Sequence, residues 1–413
     1  MNMLRSFYHT VLAWTGSIRY RRPSRRLFVV GVTGTKGKST VIELMNVIFE
    51  AAGERTALLS TVRQKIGTET EPNEWSNTMP GRWRLQRFLH RAATERCTYA
   101  FVEVTSQGTT QHRHRFIDWD VAVFLNLHPE HIEAHGSFEK YREAKLNFFR
   151  SLKHSKKSRQ YFLINRDDQD SMLFYEVAKR VRSGEVIWFS KNDVFKMVEG
   201  LRATYHQEWL RADFNVENVA AAVALARLRG VNRGTIQRAL AEFPGVPGRM
   251  EFVQKKPFSV VVDYAHTPES LTAVYRNLRT NYDFTDSSHL ICVLGAAGGG
   301  RDTWKRPEHG KIAASYGDVV ILTSEDPYDE DPRAIIEDMK RGIAESPEKP
   351  QKVYEIIDRT EAIKKALSIA REKDIVIITG IGSQKWFYGP NGKKQPWDEV
   401  QTVKELLQNI NKG

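Results

Sequence analysis

The glycine-rich stretch 31–40, GVTGTKGKST, is the feature that most constrains what this chain can fold into. An apolar run precedes it and a helical pattern follows it, which is the strand–loop–helix order that a phosphate-binding loop needs. Gly34 and Gly37 lack a Cβ, so backbone N–H groups can wrap closely around phosphate oxygens. Lys38 would neutralise the β- and γ-phosphates, and the Ser39 hydroxyl would bind Mg²⁺. The stretch therefore predicts a nucleotide site at the N-terminus of a helix.

Strand and helix patterns alternate from residue 27 onward, which predicts an α/β fold with a doubly wound, mainly parallel sheet. Only the stretch 160–212 is less regular. In this part of the chain, strands are predicted at 27–32, 56–60, 99–104 and 121–125, and helices at 39–52, 82–96, 137–152 and 215–229.

A proline- and glycine-rich break at 244–248 predicts a domain boundary. A second alternating series follows, and it predicts a Rossmann-like domain with strands at 259–263, 289–294, 319–323, 353–357 and 374–379. Thr267, Asp331 and Asp358 are predicted to cap the helices that begin there. We therefore expect an N-terminal amphipathic and basic segment, a central doubly wound P-loop ATPase domain and a Rossmann-like C-terminal domain, at 1–26, 27–246 and 247–413.

The composition narrows the classes of function. The net charge of +12 suits anionic ligands, and because the sequence has no recognisable nucleic-acid module, we expect small anionic substrates and no nucleic acid. Neither a secretory signal nor an apolar run of about 18 residues is visible, so a cytoplasmic protein is expected. Cys97 and Cys292 form no metal motif, and we expect two buried thiols.

The N-terminal segment allows two interpretations. Leu4, Phe7, Val11 and Trp14 lie near one face of a predicted helix, and five arginines follow between positions 19 and 26. The segment is either a docked helix with a solvated basic linker or an element that makes weak contact with an anionic membrane surface.

Glu103 ends a strongly apolar strand, so its carboxylate must be paired or bound to something. Ligands of parallel sheets gather at the carboxyl ends of the strands, where the phosphate-binding loop would also lie. Mg²⁺ shared with ATP is one explanation, and a buried ion pair is the other. The loop after the next strand carries three histidines and two glutamates between 128 and 135, which indicates a metal site for Zn²⁺ or, beside ATP, Mg²⁺.

Three further positions have weaker signals. From the helical pattern alone, Lys145 is predicted to be an ordinary surface lysine. Asp263 ends the first strand of the second domain. The glycine-rich loop 295–302 is either a second anion-binding turn, with Arg301 and Lys305 supplying charge, or a plain turn.

Together these stretches resemble the Mur ligase family, and most closely the branch that adds the third residue of a stem peptide. The likeness covers roughly residues 27 to 404. It rests on many motifs in the same order, at 31–40, 103–106, 111–113, 126–136, 144–145, 214–218, 247–251, 263–268, 301–302, 305–307 and 325–327.

The resemblance implies an ATP-dependent ligase that activates a small-molecule carboxylate as an acyl phosphate and joins it to an amino acid. By this resemblance, ATP and Mg²⁺ are the cofactors, and Lys145 is carbamylated by CO₂ and helps to hold a second Mg²⁺. The implied catalytic residues are Lys38, Glu103, His131 and Lys145, and the implied metal ligands are Ser39, Glu103, His131 and Lys145. The implied nucleotide-binding residues are Gly34, Thr35, Lys36, Gly37, Lys38, Ser39, Thr40, Asn218, Arg249, Asp263 and Arg301.

Several positions depart from the family pattern. About 26 residues precede the first strand, which leaves no room for the usual N-terminal domain that binds the uridine diphosphate sugar. Either that recognition is supplied differently or the substrate is not UDP-linked. Gln107 replaces a histidine after the metal glutamate, Lys36 replaces an asparagine in the phosphate loop, and Glu130 replaces an aspartate.

The acceptor motif also differs, since 325–328 reads Glu-Asp-Pro-Tyr where enzymes that add diaminopimelate have Asp-Asn-Pro-Arg. Without that arginine the distal carboxylate of diaminopimelate loses a bidentate partner. The late Gly-Lys-Gly-His-Glu motif is likewise replaced at 380–384. The acidic run 325–331 could instead favour a cationic amino acid, or it could be a solvated loop.

We therefore expect a monomeric ligase of peptidoglycan precursor synthesis. Two alternatives remain open at this point. One is a related ligase of the folylpolyglutamate or cyanophycin type, although the motifs at 247–251 and 263–268 favour the muramyl branch. The other is a nucleotide-binding subunit that needs a partner.

Overall fold

The computed structural model describes residues 3–73, 78–130, 132–205, 207–282 and 288–410. The chain divides into two compact units, Met1–Pro244 and Gly245–Gly413, and each has its own sheet. The observed architecture confirms the α/β fold class.

The first unit is built on an eight-stranded sheet with the order β4-β3-β2-β5-β1-β6-β7-β8. β1 lies inside the sheet with β5 and β6 as parallel neighbours, so its carboxyl end carries the phosphate loop at the middle of the sheet. The strands are β1 Phe28–Thr33, β2 Thr56–Leu59, β3 Arg63–Ile66, β4 Glu69–Pro72, β5 Tyr99–Glu103, β6 Val121–Phe124, β7 Gln160–Asn165 and β8 Gly184–Phe189.

One edge of this sheet differs from the prediction. β3 pairs antiparallel with both β2 and β4, whereas the other five pairings in the sheet are parallel. The β3–β4 hairpin escaped prediction because its residues are mainly polar and β4 is exposed along its length, so it carries no apolar run. The less regular stretch 160–212 contains β7 and β8, which complete the opposite edge.

The helices of this unit are α1 Met3–Arg19, α2 Lys38–Ala51, α3 Arg82–Thr94, α4 Ser106–Thr110, α5 Ile132–His135, α6 Phe138–Ser151, α7 Ser171–Ala178, α8 Phe195–Tyr205, α9 Asp213–Leu228 and α10 Arg233–Glu242. The core is densely packed around β1. A Cβ at Gly31 would collide with the ring of Phe148 and touch Trp119, so this glycine is required by packing rather than by the phosphate loop.

The N-terminal helix α1 packs on α3. It docks through His9, Ala13 and Ser17, which are buried, while Leu4 and Phe7 on the predicted apolar face are 83% and 69% exposed. The expectation of a docked helix is therefore correct, but the apolar face is not the docked one. The basic stretch after it is also not simply solvated: Pro23–Arg26 forms a 3₁₀ turn with buried Ser24, and Arg25 bonds Asp118 at 3.0 Å.

The second unit contains a six-stranded sheet with the order β13-β12-β11-β14-β10-β9, in which only β9 runs antiparallel to its neighbour. Its strands, with a separate hairpin of β15 and β16, are β9 Glu251–Gln254, β10 Ser259–Asp263, β11 Leu290–Leu294, β12 Val319–Leu322, β13 Lys352–Glu355, β14 Ile375–Thr379, β15 Trp386–Tyr388 and β16 Lys394–Pro396. Its helices are α11 Pro268–Asn281, α12 Lys305–Tyr316, α13 Pro332–Glu345, α14 Arg359–Ile369 and α15 Glu399–Ile410.

The predicted helix caps are present. The side chains of Thr267, Asp331 and Asp358 each accept a bond from a backbone N–H in the first turn of α11, α13 and α14. Both cysteines are buried free thiols, as predicted. Within the described ranges, no helix has the length and apolar character needed to cross a membrane.

Candidate active site

The phosphate loop joins β1 to α2. Gly37, with φ of 84°, is the N-cap of α2 and has no side chain to bond the first N–H groups of the helix. Those N–H groups have no partner within the helix and carry its positive dipole end, so they suit an anion. A Cβ at Gly37 would also collide with Oδ1 of buried Asn218 on α9, so Asn218 lies directly against the loop.

Two lysines converge on the same carbonyl of this loop. Lys38 Nζ donates to the carbonyl oxygens of Gly34 and Thr35, each at 2.9 Å, and Lys145 Nζ donates to Gly34 O at 2.8 Å. The loop thus holds two amino groups where the phosphates of a nucleotide would lie.

Asn126 and Glu130, on the loop after β6, hold the phosphate loop from the side. Asn126 Oδ1 accepts bonds from the backbone N–H groups of Thr35 and Lys36 at 3.0 and 2.9 Å. Lys36 Nζ lies 2.8 Å from Glu130 Oε1, and Glu130 is buried. Sequence reasoning did not select Asn126 as a site residue, although its position just after a strand adjacent to β1 is a usable signal.

Glu103 is buried at the end of β5. Within the described residues, its carboxylate accepts hydrogen bonds from hydroxyl and backbone amide groups only. Ser39 Oγ lies 2.6 Å from Glu103 Oε1, and Thr61 donates through its N–H at 2.9 Å and its hydroxyl at 3.1 Å. Within the described part of the chain, no lysine, arginine or histidine forms an ion pair with Glu103. A buried ion pair among these residues therefore does not explain the buried carboxylate. A buried carboxylate next to two hydroxyls is a set of hard oxygen donors that fits Mg²⁺.

Lys145 is not a surface lysine, contrary to its pattern. It is 2% exposed, and its Nζ lies 4.6 Å from the ring centre of Tyr141, whose hydroxyl is 3.0 Å from Thr35 Oγ1. Burial lowers the pKa of Lys145 well below its usual value, and the positive charges of Lys38 and Lys36 lower it further, against the opposing effect of Glu130. The prediction of a surface lysine is wrong because α6 places the Lys145 side chain against the phosphate loop rather than in solvent.

The histidine loop is described except for His131, which lies outside the described residues. His135 Nε2 lies 3.1 Å from Ser106 Oγ on α4. Among the described residues, no group of three or more His, Cys, Asp or Glu side chains could hold a metal ion by itself. A cation at this loop would therefore take ligands of other kinds as well, such as hydroxyl and phosphate oxygens.

In the second unit, Asp263 and Arg249 lie close together. Asp263 accepts backbone N–H bonds from Met250 and Ala265, each at 2.7 Å, and so holds the 247–250 turn against the end of β10. The Arg249 guanidinium lies 4.0 Å from the ring centre of Tyr264.

Arg301 lies on the glycine-rich loop after β11, 4.5 Å above the ring of Tyr328. Lys305 is buried and bonded to Asp302 at 2.5 Å, so its charge is already neutralised. Gly298 packs against the backbone of Pro327. Part of the glycine-rich loop 295–302 therefore packs inside the second unit. Arg301 is the exposed cation of this loop.

The acidic run is not a solvated loop. Glu325 and Asp326 are both buried, and burial raises the pKa of Glu325 to about 8. Asp326 accepts bonds from Gln384 and from the backbone of Tyr388, and Asp331 caps α13. These carboxylates are largely engaged within the protein.

The structure thus gathers Lys38, Ser39, Glu103, Lys145 and Asn218 around one loop of the first unit. Gly34, Thr35, Lys36 and Thr40 belong to the same loop and helix start. Asp263 and Arg249 form a second group, and Arg301 stands on a separate loop of the second unit.

Two family models match this chain, the Mur ligase middle domain at residues 32–226 and the Mur ligase glutamate ligase domain at 248–382. A UDP-N-acetylmuramoyl-L-alanyl-D-glutamate–2,6-diaminopimelate ligase from Syntrophomonas wolfei subsp. wolfei is 36% identical over 390 residues, covering 91% of this chain and 78% of the relative. The chain belongs to the Mur ligase family.

Other relatives of this Mur ligase agree. A UDP-N-acetylmuramyl-tripeptide synthetase of Roseiflexus sp. is 35% identical and aligns with 95% of this chain and 81% of its own length. A solved structure of a UDP-N-acetylmuramoyl-L-alanyl-D-glutamate–2,6-diaminopimelate ligase has 29% identity and a TM-score of 0.58, covering 93% of this chain and 79% of that one.

As a Mur ligase, the chain is an ATP-dependent enzyme that forms a C–N bond between a carboxylate and an amine. ATP and Mg²⁺ are the cofactors of this family, and the phosphate loop together with the oxygen groups of Ser39, Thr61 and Glu103 fits both. The sequence likeness favours peptidoglycan precursors over folate or cyanophycin as the main interpretation.

Proposed function

We propose that this Mur ligase adds an amino acid to the peptide carboxylate of a muramoyl-peptide precursor. The observation that carries the proposal is the convergence of Lys38, Lys145, Ser39 and Glu103 on one phosphate loop. The names of the relatives, which act on UDP-N-acetylmuramoyl peptides, support the same substrate class.

The chemistry follows from the weakness of a carboxylate as an acylating agent. A carboxylate oxygen attacks the γ-phosphorus of ATP, the bond to the bridging oxygen of ADP breaks, and an acyl phosphate forms. The amine of the incoming amino acid then attacks the acyl carbon, loses a proton, and inorganic phosphate leaves. Lys38 and the N–H groups of α2 would hold the transferring phosphoryl group and its charge.

Ser39, Glu103 and His131 are the residues that would hold Mg²⁺. When bound, the metal ion neutralises phosphate charge. Glu103 accepts hydrogen bonds from Ser39 and Thr61, so its carboxylate oxygens already lie beside the hydroxyl groups that would share the metal ion. Asn218, Asp263, Arg249 and Arg301 are proposed to contact the nucleotide.

Lys145 is proposed to be carbamylated. Its lowered pKa favours the neutral amine, which is the form that adds to CO₂, giving a carbamate and releasing one proton. The reaction would convert a group adjacent to Lys38 from a potential cation into an anion. That anion would be neutralised by Lys38 and a second Mg²⁺.

The acidic run 325–331 does not supply a free negative charge for a cationic amino acid substrate. The amino acid that is added must therefore be identified by assay. Glu325 carries a raised pKa, and Asp326 is bonded to Gln384. Tyr328, at the place of the family arginine, offers no cation for a distal carboxylate. We therefore propose an amino acid other than diaminopimelate.

We also propose that the chain works as a monomer that makes weak contact with anionic membranes. α1 and the segment after it expose apolar side chains, Leu4 and Phe7, and also cationic ones, which are Arg5, Arg21 and Arg26. Co-sedimentation with vesicles of increasing anionic-lipid content tests the contact. Binding that does not depend on the lipid charge would contradict the membrane contact. Light scattering tests the monomeric state.

The function is tested with the purified chain, Mg²⁺ and ATP. UDP-muramoyl dipeptide is supplied with each amino acid in turn, and phosphate release and product mass are measured. We expect release with a mass gain that equals one amino acid minus water. Dihydrofolate with glutamate, and a cyanophycin primer with arginine, serve as alternative substrates. Turnover only with these, or only with an added partner protein, would overturn the proposal.

A further inference from the structure

A large groove lies in the first unit, separate from the phosphate loop. Its volume is about 1260 Å³, more than the roughly 300–1,000 Å³ typical of small-molecule sites. Three elements wall it: α1, the segment 107–118 and the outer part of α6 with the residues that follow. The groove is therefore built partly by the residues that precede the region matched by the family models.

The groove is strongly cationic. Its six accessible cations form no ion pair with any carboxylate in the described part of the chain, and they are Arg5, Arg22, Arg115, Lys140, Lys153 and Lys156. The two acidic residues in its lining, Asp118 and Glu143, are each already paired with an arginine. The charge of the groove is thus uncompensated and favours a ligand with more than one negative charge.

Two buried imidazoles belong to the lining of this groove. His9 and His114 are both buried in its lining, and within the described structure His9 Nε2 and His114 Nδ1 have no hydrogen-bond partner. Burial, then the charge of Arg115, lowers the pKa of His114 to about 3, and the same two causes lower that of His112 to about 4. Imidazoles with lowered pKa values add no positive charge near neutral pH, so the charge of the groove comes from its arginines and lysines.

One end of the groove adjoins the reaction centre. His135 lines this end, and its ring centre lies 5.5 Å from that of Tyr141, whose hydroxyl is 3.0 Å from Thr35 Oγ1 of the phosphate loop. A substrate whose carboxylate lies at the phosphate loop can therefore extend into the groove.

The lining includes two exposed aromatic rings. Trp14 on α1 is 48% exposed and Phe116 is 42% exposed. Exposed aromatic rings beside cations suit the flat face of a base or a sugar attached to phosphate.

We propose that this groove binds the diphosphate-linked end of the carboxylate substrate, with the cations around the two phosphates and the aromatic rings against the attached base or sugar. The inference rests on the proposed function, which supplies the carboxylate end. A sugar diphosphate can be carried by a nucleoside or by a polyprenyl chain, and both carriers share the chemistry that the groove recognises.

The test uses the full chain with the phosphate loop saturated by a non-hydrolysable ATP analogue and Mg²⁺, so that added diphosphates do not bind there. Calorimetry then measures the binding of UDP-N-acetylglucosamine, a short-chain prenyl diphosphate and N-acetylglucosamine alone. The groove variant combines Arg115→Gln, Lys153→Gln and Lys156→Gln, all at exposed positions. The matched control, Lys311→Gln, Arg333→Gln and Lys404→Gln, removes the same charge from exposed sites of the second unit.

We expect the groove variant to weaken diphosphate binding at least about tenfold, with the control unchanged and the uncharged sugar not bound. Tighter binding of the UDP sugar than of the prenyl diphosphate would identify the nucleotide as the carrier, and the reverse order the lipid. Unchanged binding in the groove variant, or no diphosphate binding by the wild type, would overturn the inference.

A kinetic comparison separates this inference from the proposed function. The groove variant should raise KM for UDP-muramoyl dipeptide at least about tenfold and leave KM for nucleotide-free muramoyl dipeptide unchanged. Equal effects on both substrates would contradict the groove assignment while leaving the ligase intact. Absence of ligation by the wild type would instead refute the function.

Discussion

Lys36 and Glu130 form an ion pair of 2.8 Å although they are 94 residues apart in the chain. Both residues depart from the family pattern, since Lys36 replaces an asparagine and Glu130 replaces an aspartate. Their contact indicates that the two departures compensate each other. The longer carboxylate reaches the ammonium group and neutralises it beside the phosphate loop.

The pair can be tested by a double-mutant cycle with Lys36→Asn and Glu130→Asp. Each single change should weaken ATP binding, because it leaves a charge or a gap beside the loop, and the double variant should recover part of the loss. We expect a coupling free energy of about 1 kcal/mol or more for this partly buried pair. The exposed pair Lys179–Glu176 on α7 is the control and should couple by less than about 0.5 kcal/mol. Additive effects at Lys36 and Glu130 would refute compensation.

The burial of Lys145 predicts that ligation depends on CO₂. Removal of CO₂ from the buffer should lower the rate, and bicarbonate should restore it, because the neutral amine needs CO₂ to become an anion. Lys145→Ala should lose about 100-fold or more in kcat, and its residual rate should ignore bicarbonate. Carbon-13 NMR with labelled CO₂ should give a carbamate signal in the wild type alone. A wild-type rate that is independent of CO₂, with no carbamate signal, would contradict carbamylation.

The contact between Ser39 and Glu103 predicts a role for charge at position 103. Glu103→Gln keeps an acceptor oxygen for Ser39 and Thr61 but removes the negative charge, so the fold should persist. We expect kcat to fall by about 10²–10³ and the Mg²⁺ concentration for half-maximal rate to rise. The exposed Glu95→Gln is the control. An unchanged Mg²⁺ dependence in the Glu103 variant would exclude this carboxylate as a ligand.

The raised pKa of Glu325 predicts how the second unit responds to pH. The folded-state pKa of about 8 exceeds the ordinary value of 4.5, so the folded protein binds this proton more tightly than the unfolded chain. The corresponding stability is fully present below pH 4.5 and is lost as the pH rises through 8, with a slope of up to about 1.4 kcal/mol per pH unit. Urea denaturation between pH 6 and 9 should show this loss in the wild type and a smaller one in Glu325→Gln. Parallel pH profiles would contradict it.

Much of the fold was predictable because local patterns carry it. The strand before the phosphate loop and the helix after it were predicted within one residue of β1 and α2. The caps at Thr267 and Asp331 are local too. The β3–β4 hairpin and the docked face of α1 were not predictable, since the first lacks apolar residues and the second depends on which side of α1 meets α3.

The candidate site was predictable to the extent that it lies at strand ends. Glu103 and the phosphate loop meet because β5 and β1 are parallel neighbours. The environment of Lys145 was not predictable from pattern, because only the packing of α6 places its amine on Gly34. The partner of Lys36 likewise depends on the tertiary fold, which brings the loop after β6 to the phosphate loop.

The central claim is that the substrate carboxylate is activated by transfer of the γ-phosphoryl group of ATP. The most direct measurement uses a muramoyl-peptide substrate labelled with oxygen-18 in that carboxylate and mass analysis of the inorganic phosphate after one turnover. The account predicts one labelled oxygen in each phosphate released, because the phosphate that leaves the acyl carbon takes one carboxylate oxygen with it. Label that appears in AMP, or phosphate that carries none, would contradict it.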